Sequence, residues 1–381
     1  RERGTRPHLG HHRRHRVGGR TAKPADPADT GDLTREPTLM RTPDRKQSER
    51  AKLAVFRAIP GKLAPRDAQD LMAFPFFSLS KTSRTVPIDF RTPDVTIRVE
   101  ATGEHGMATI WDADVLIWAA SQIVEARDAG RCTSRLMVAT PHEILAFIGR
   151  GDSARDYERL EAAFDRLQST TIKTSLRHAG AGQLHRFSWI NEWKRHTTQE
   201  GRARVVELIL PDWFYQAVLD DALVLTIDPA YFRLTGGMER WLYRLVRKHG
   251  GRQRSGWKFD FHVLHLKSAS LSPYRRFAFE LRGIVQRQPL PGYRLAVERT
   301  ADGREILTFS RDRLSTGSCG QAVSPSVLSG TPEPAKAVTS GTAKPCLCEQ
   351  KSSNHDVESK GYAALNLESN LKESNFKDVG T

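Results

Sequence analysis

The chain has 381 residues, 38% of them hydrophobic, with 59 Lys and Arg against 44 Asp and Glu, a formal charge of +15. That length holds roughly two domains with tails, and the absence of any run of about 18 apolar residues excludes a membrane-spanning helix. The last 68 residues hold 6 Lys, no Arg and 7 acids, so the whole basic surplus lies before Leu314, and a polyanion is the expected partner of that part of the chain.

Residues 1–68 are poor in apolar runs and rich in Arg, His, Pro, Thr and Asp, which predicts a disordered basic tail. The cluster from His11 to Arg16 reads as part of that solvated tail. There is no apolar stretch of the secretory kind near the start, and an opening Arg in place of Met suggests a fragment or an unusual start. From Phe74 the pattern becomes globular. Val95 to Ala101 alternates as a strand, and Ala113 to Ala129 reads as a helix with Val115, Leu116, Trp118, Ala119 and Ile123 for its core. A strand at Leu136 to Thr140 leads into a short helix opened by Pro141, whose missing N–H costs nothing in a first turn. Ser153 caps a longer helix with Tyr157, Leu160, Ala163, Phe164 and Leu167 on its core face. Thr170 to Leu176, a turn at 178–183 and Leu184 to Trp193 complete a predicted hairpin. Helix, longer helix, hairpin is the order of a winged helix, a helix-turn-helix variant.

A strand (Ala203 to Leu210), a helix (Pro211 to Val218) and a strand (Ala222 to Ile227) follow. The helix Met238 to His249 turns Trp241, Leu242, Leu245 and Val246 inward and is expected to leave Arg240, Arg244, Arg247 and Lys248 around its sides. After a shorter helix around Phe259 to Leu266, the segment Ser272 to Arg287 places Tyr274, Phe277, Ala278, Leu281, Ile284 and Val285 on one helical face. Arg275, Arg276, Phe279, Arg282 and Gln286 fall on the other. Arginines 275, 276, 282 and 287 face a single acid, Glu280, whereas an ordinary solvated face mixes signs. Leu290 to Glu298, a turn containing Asp302-Gly303, and Arg304 to Ser310 form a second predicted hairpin. The expected fold class is therefore α+β, two tandem winged-helix domains at 69–235 and 236–313, flanked by disordered tails at 1–68 and 314–381.

The two longer helices differ in charge. The first carries Asp156, Glu158, Glu161 and Asp165 against Arg155, Arg159 and Arg166, a balance that repels phosphates about as often as it attracts them. The second is cationic and is assigned the specific reading of DNA. There, Arg275, Arg276 and Arg282 fit guanine O6/N7 or a phosphate, as Arg287 fits a phosphate, and Gln286 fits adenine. Phe279 either touches a thymine methyl or packs under a wing or partner. Arg294 and Arg304, with Arg311 and Arg313, are placed on the DNA backbone. In the first unit Lys173, Arg177 and Arg186, with His178, Lys194, Arg195 and His196, suggest a wing touching phosphates without sequence preference. No P-loop is present. His262 and His265 have no third ligand nearby, and cysteines 132, 319, 346 and 348 lack zinc spacing and read as free thiols of a reducing cytoplasm. No cofactor, metal or catalysis is expected.

Five phrases carry a family resemblance: Phe74-Pro75-Phe76-Phe77-Ser78-Leu79-Ser80-Lys81; Ile110-Trp111-Asp112-Ala113-Asp114-Val115-Leu116-Ile117; Tyr157-Glu158-Arg159-Leu160 with Leu167 to Ile172; Ser272-Pro273-Tyr274-Arg275-Arg276-Phe277; and Leu290-Pro291-Gly292-Tyr293. Over about residues 70 to 313 the chain resembles the plasmid replication initiator protein A family of bacteria, akin to iteron-binding initiators with two winged helices. The resemblance implies binding of double-stranded origin DNA at direct repeats by the C-terminal unit, with dimerisation and auxiliary contacts in the N-terminal one. It further implies a homodimer in equilibrium with monomer, opening of a neighbouring AT-rich stretch, and recruitment of the host initiator and replicative helicase in the cytoplasm. Two alternatives stand beside it: a winged-helix transcriptional regulator without initiator activity, and a nicking enzyme.

Overall fold

The computed structural model describes residues 50, 52–177, 184–197, 203–251 and 256–312. Within them the fold is α+β. One four-stranded sheet has the order β1 (Val55–Arg57), β5 (Leu136–Ala139), β9 (Ala203–Ile209), β8 (Glu192–Thr197), with only the β1/β5 pair parallel. A second, antiparallel throughout, runs β3 (Ile88–Arg91), β4 (Thr96–Glu100), β6 (Thr171–Thr174), β7 (His185–Ser188). β2 (Arg66–Ala68) pairs with β10 (Val224–Thr226), and β11 (Trp257–Asp260), β13 (Glu305–Arg311) and β12 (Tyr293–Arg299) form a three-stranded sheet in that order. The helices are α1 (Gln69–Ala73), α2 (Ala113–Asp128), α3 (Pro141–Phe147), α4 (Ala154–Ser169), α5 (Asp212–Leu219), α6 (Gly237–Gly250), α7 (Phe261–Ser268) and α8 (Tyr274–Arg287).

Local chemistry sets the boundaries. Thr140 and Glu143 form a reciprocal capping box at α3, which satisfies N–H groups that have no partner inside the helix. Ser153 accepts from the Asp156 N–H at the start of α4. β4 buries Ile97 and Val99 and leaves Thr96, Arg98 and Glu100 on its other face, the period-two pattern of a half-covered strand.

The predicted tail at 1–68 is corrected for residues 52–68, which hold β1 and β2; residues 1–49 lie outside the described residues. Three-residue strands are too short to show periodicity, and what fixes them comes from elsewhere. Gln122 of α2 accepts from the Ile59 N–H at 2.7 Å and donates to its carbonyl at 3.3 Å, while Ser121 accepts from the Arg66 N–H at 2.8 Å. Buried polar side chains on a core helix thus serve as backbone partners.

The first predicted hairpin also needs correction. β6 and β7 pair as expected, Thr171 opposite Ser188 and Thr174 opposite His185, but the chain leaves that sheet at the buried Trp189 and Ile190 and re-enters the other sheet as β8. β6 and β7 are therefore the outer half of a four-stranded sheet, not a free two-stranded wing. The turn at 178–183 lies outside the described residues.

The buried apolar residues form two clusters. One gathers Phe76, Phe77, Trp118, Phe164, Trp189 and Phe214 around α2, α4 and the first two sheets. The other gathers Trp241, Leu245, Phe261, Phe277, Leu281 and Phe309 around α6, α7, α8 and the third sheet, and takes in Met72 and Ile117 from the earlier part of the chain. α6 is held there by two arginines expected around its sides and found fully buried, at 0% and 1% exposure. The Arg240 Nη1 donates to both Asp114 oxygens at 2.7 and 2.9 Å, its Nε to the Leu234 carbonyl and its Nη2 to the Phe232 carbonyl. Arg244 makes a two-pronged pair with Asp67 at 2.6 and 2.9 Å. Burial outweighs the arginine and pushes the Asp114 carboxyl up to about 6, and it raises Asp67 likewise. The start of α6 approaches so closely that a Cβ on Gly237 would lie 1.9 Å from the Leu79 carbonyl oxygen, a place only glycine fills.

Candidate nucleic-acid interface

α8 follows Pro273, which fixes the backbone entry, and its apolar stripe is buried as the spacing predicts: Phe277, Ala278, Leu281 and Ile284. Arg275, Arg276, Phe279, Glu280, Gln286 and Arg287 are exposed. Its tilt is set from both ends. His262 of α7 stacks on Tyr274 at 3.9 Å between ring centroids, and His265 bonds the Ser272 carbonyl at 2.8 Å. At the other end Gln288, in a left-handed conformation, receives the Leu295 N–H at 2.9 Å and donates to the Leu295 carbonyl at 2.8 Å, tying the helix to β12. Both histidines are thus occupied in joining α7 to α8.

The arginines of this surface divide by partner. Arg282 forms a two-pronged pair with Glu305 at the start of β13, at 2.9 and 3.2 Å, and Arg299 lies 3.7 Å from the same carboxylate. The hydrogen bonds from Arg282 hold the Glu305 carboxyl below the usual range. Arg287 reaches Glu239 of α6 at 2.9 Å, Arg304 pairs with Asp302 at 2.6 Å, and Arg294 stands 3.7 Å from Asp312. Arg275, Arg276 and Arg311 have no ion pair or side-chain hydrogen bond among the described residues, and Gln286 is exposed beside them. Arg299 and Lys258, both exposed on the third sheet, are absent from the sequence expectations; alternation with buried Phe259 was the available signal for Lys258, whereas Arg299 shares the strand parity of buried Tyr293 and Leu295 and had none.

The first unit offers less. Lys173 is drawn to Glu100 at 3.3 Å, and Arg186 is exposed on β7. Arg177 is the clear correction. It adopts φ 64°, donates to the Trp213 carbonyl at 2.6 Å, lies 3.5 Å above the Trp213 ring and pairs with Asp70 at 2.8 Å. Such a guanidinium stacked on an aromatic ring and paired with a carboxylate is spent on packing, not held out to a phosphate. On α4, Arg166 is taken by Asp112 at 2.7 and 2.8 Å, which leaves the helix surface still poorer in available positive charge.

A family model described as replication initiator protein A matches residues 66–295, well over half of the chain. The chain belongs to the replication initiator protein A family. A relative described as a replication protein, from Wigglesworthia glossinidia brevipalpis, is 30% identical over 244 residues, covering 63% of this chain and 86% of the relative. Two crystal structures of domains 2 and 3 of RctB align at 16% and 14% identity, covering 62% and 65% of this chain and 95% and 98% of theirs, with TM-scores of 0.47 and 0.44. The matched span of the initiator contains all of α8 and ends inside β12. Its family phrases acquire structural jobs: Asp112 clamps Arg166, Asp114 neutralises Arg240, and Leu290 and Tyr293 are buried beneath the hairpin. Among the described residues no helix is long and apolar enough to cross a membrane.

Proposed function

We propose that this replication initiator binds double-stranded origin DNA at direct repeats, with α8 as the recognition helix and the β12–β13 hairpin as a wing. On this reading 236–313 is the DNA-reading winged-helix domain, and 69–235 is a second one that serves dimerisation and auxiliary contacts in a monomer–dimer equilibrium. The observation that carries it is the pair Arg275 and Arg276, exposed and with no ion pair among the described residues, on the first turn of a helix whose opposite face is buried. Recognition helices place their N-terminal residues against base edges, and a free guanidinium fork fits guanine or phosphate. Arg294 on β12, Arg304 just before β13 and Arg311 at the end of β13 suit backbone contacts.

The action is noncatalytic: binding bends and loosens a neighbouring AT-rich stretch and recruits the host initiator and replicative helicase in the bacterial cytoplasm, on behalf of a plasmid. The test is footprinting on an array of direct repeats beside the gene, together with replication of that array when the protein is supplied in trans. Protection without replication favours a transcriptional regulator. Supercoiled array DNA incubated with Mg²⁺ or Mn²⁺ stays uncut on this reading, and a covalent protein–DNA adduct overturns it.

A further inference from the structure

Phe279 is 74% exposed, more than any other large apolar side chain among the described residues. An exposed phenylalanine forgoes roughly 1.5–3 kcal/mol that burial would return, and it stands on the face opposite the filled stripe of α8, so no core position awaits it. On the helix it lies three and four residues beyond Arg276 and Arg275 and three before Arg282, the spacings that make side chains neighbours. A protein-binding patch in that setting would have to bury unpaired guanidinium groups, which is costly. A DNA groove accepts both the charge and the ring, because the major groove offers one apolar group, the C5 methyl of thymine, among its hydrogen-bonding edges.

We infer that Phe279 is a specificity-determining residue that reads a thymine methyl next to a guanine read by Arg276. This inference rests on α8 being the recognition helix. Three residues advance a helix by about 4.5 Å, against about 3.4 Å between successive phosphates of one strand, so with α8 lying along the groove the two side chains meet adjacent or next-but-one base pairs. Arg282, pinned to Glu305, stays at the junction of helix and wing, and the base-reading surface narrows to the first turn and a half of α8. The recognised repeat then contains a G·C pair and a T·A pair within one step of each other, the thymine supplying apolar contact and no hydrogen bond.

The experiment enriches a high-affinity duplex from a random-sequence pool with the full-length protein, then replaces each thymine in turn by deoxyuridine, which removes only the methyl group. One or two positions should weaken binding about fourfold, the worth of one buried methyl-sized group. Phe279→Ala should bind the unmodified duplex weakly and stop distinguishing thymine from deoxyuridine there, whereas Phe279→Leu should still distinguish them. Replacing the neighbouring guanine by 7-deazaguanine should weaken the wild type and not Arg276→Ala. The assignment of Phe279 is overturned if no thymine is sensitive, or if the sensitive one remains so in Phe279→Ala. Those results leave α8 as the reading helix. An unenriched pool, or specificity that survives Arg275→Ala/Arg276→Ala, removes that reading and this inference with it.

Discussion

Replacing Asp114 by Ala removes the only carboxylate that bonds Arg240 among the described residues and leaves a guanidinium at 0% exposure with two carbonyl acceptors and no bonded counter-charge there. Breaking such a pair from one side costs about 3–5 kcal/mol, because the remaining charge stays buried and uncompensated. For a folded unit of this size, at about 2–4 °C per kcal/mol, the melting temperature should fall by roughly 6–20 °C. Urea unfolding followed by tryptophan fluorescence at pH 7.5 is a suitable assay. Trp118 and Trp189 lie in one hydrophobic cluster and Trp241 in the other, so the signal reports both. Glu305→Ala is the control. Its pair with Arg282 is partly solvated, with the arginine side chain 41% exposed, and such pairs contribute about 0.2–1 kcal/mol. An apolar replacement of both partners, Asp114→Leu with Arg240→Met, should recover part of the loss, since it removes the stranded charge. A loss below about 1 kcal/mol for Asp114→Ala, or a double variant less stable than the single one, refutes the claim that charge compensation holds α6 to α2.

Stability against pH offers a second check. The raised Asp114 carboxyl, near 6 in the folded chain, contributes stability that is present below about 4 and lost as pH rises through about 6. His249, buried against Trp257 and Phe259 and held down to about 3, contributes stability that is present above about 6.5 and lost as pH falls. Between pH 7 and 5 the two oppose one another, so Asp114→Asn should lose stability on acidification more steeply than the wild type, and His249→Phe less steeply; parallel melting curves would contradict both assignments. In DNA binding, Arg276→Ala should cost about 1–3 kcal/mol of discrimination, measurable by competition with a scrambled repeat. Arg294→Ala should instead weaken all sequences alike and lower the salt slope by about 0.9. Arg177→Ala should lower the melting temperature through the lost Trp213 and Asp70 contacts while leaving DNA affinity unchanged in a filter-binding assay.

The buried and exposed faces of α8 were legible because helical spacing is local: Phe277, Ala278, Leu281 and Ile284 declare one face whatever lies around them. The Pro141 start of α3, the Ser153 cap of α4 and the pairing of β12 with β13 were legible for the same reason, each being written in neighbouring residues, whereas the Thr140 cap of α3 was read as the end of a strand. Partnership was not. Arg177 meets Asp70, Arg240 meets Asp114 and Arg244 meets Asp67 across 107, 126 and 177 positions of sequence, and nothing in the local pattern of α6 tells a solvated arginine from one sealed beneath Phe77 and Tyr231. β1 and β2 were hidden likewise, because their order depends on Gln122 and Ser121 of a later helix.

A count of charge marks a basic surface but does not rank the arginines within it. Between Tyr274 and Asp312 the chain has eight arginines, yet Arg282, Arg287 and Arg304 each hold a carboxylate at 2.6–2.9 Å. For one of these to grip a phosphate, it must first give up a partly solvated ion pair worth about 0.2–1 kcal/mol, which subtracts from what the new contact returns. Arg275 and Arg276 bear no such cost, and they sit on the first turn of α8, where the unpaired N–H groups and the positive end of the helix dipole add to the attraction for a phosphate. The paired arginines do a different job: Arg282 ties the wing to the helix and Arg287 ties the helix to α6, and Arg275 and Arg276, the two arginines of α8 without an ion pair among the described residues, are presented on that frame. Affinity spread evenly over eight arginines would show eight similar, small effects on replacement, whereas the proposed reading expects the loss of specificity at two adjacent positions, Arg275 and Arg276.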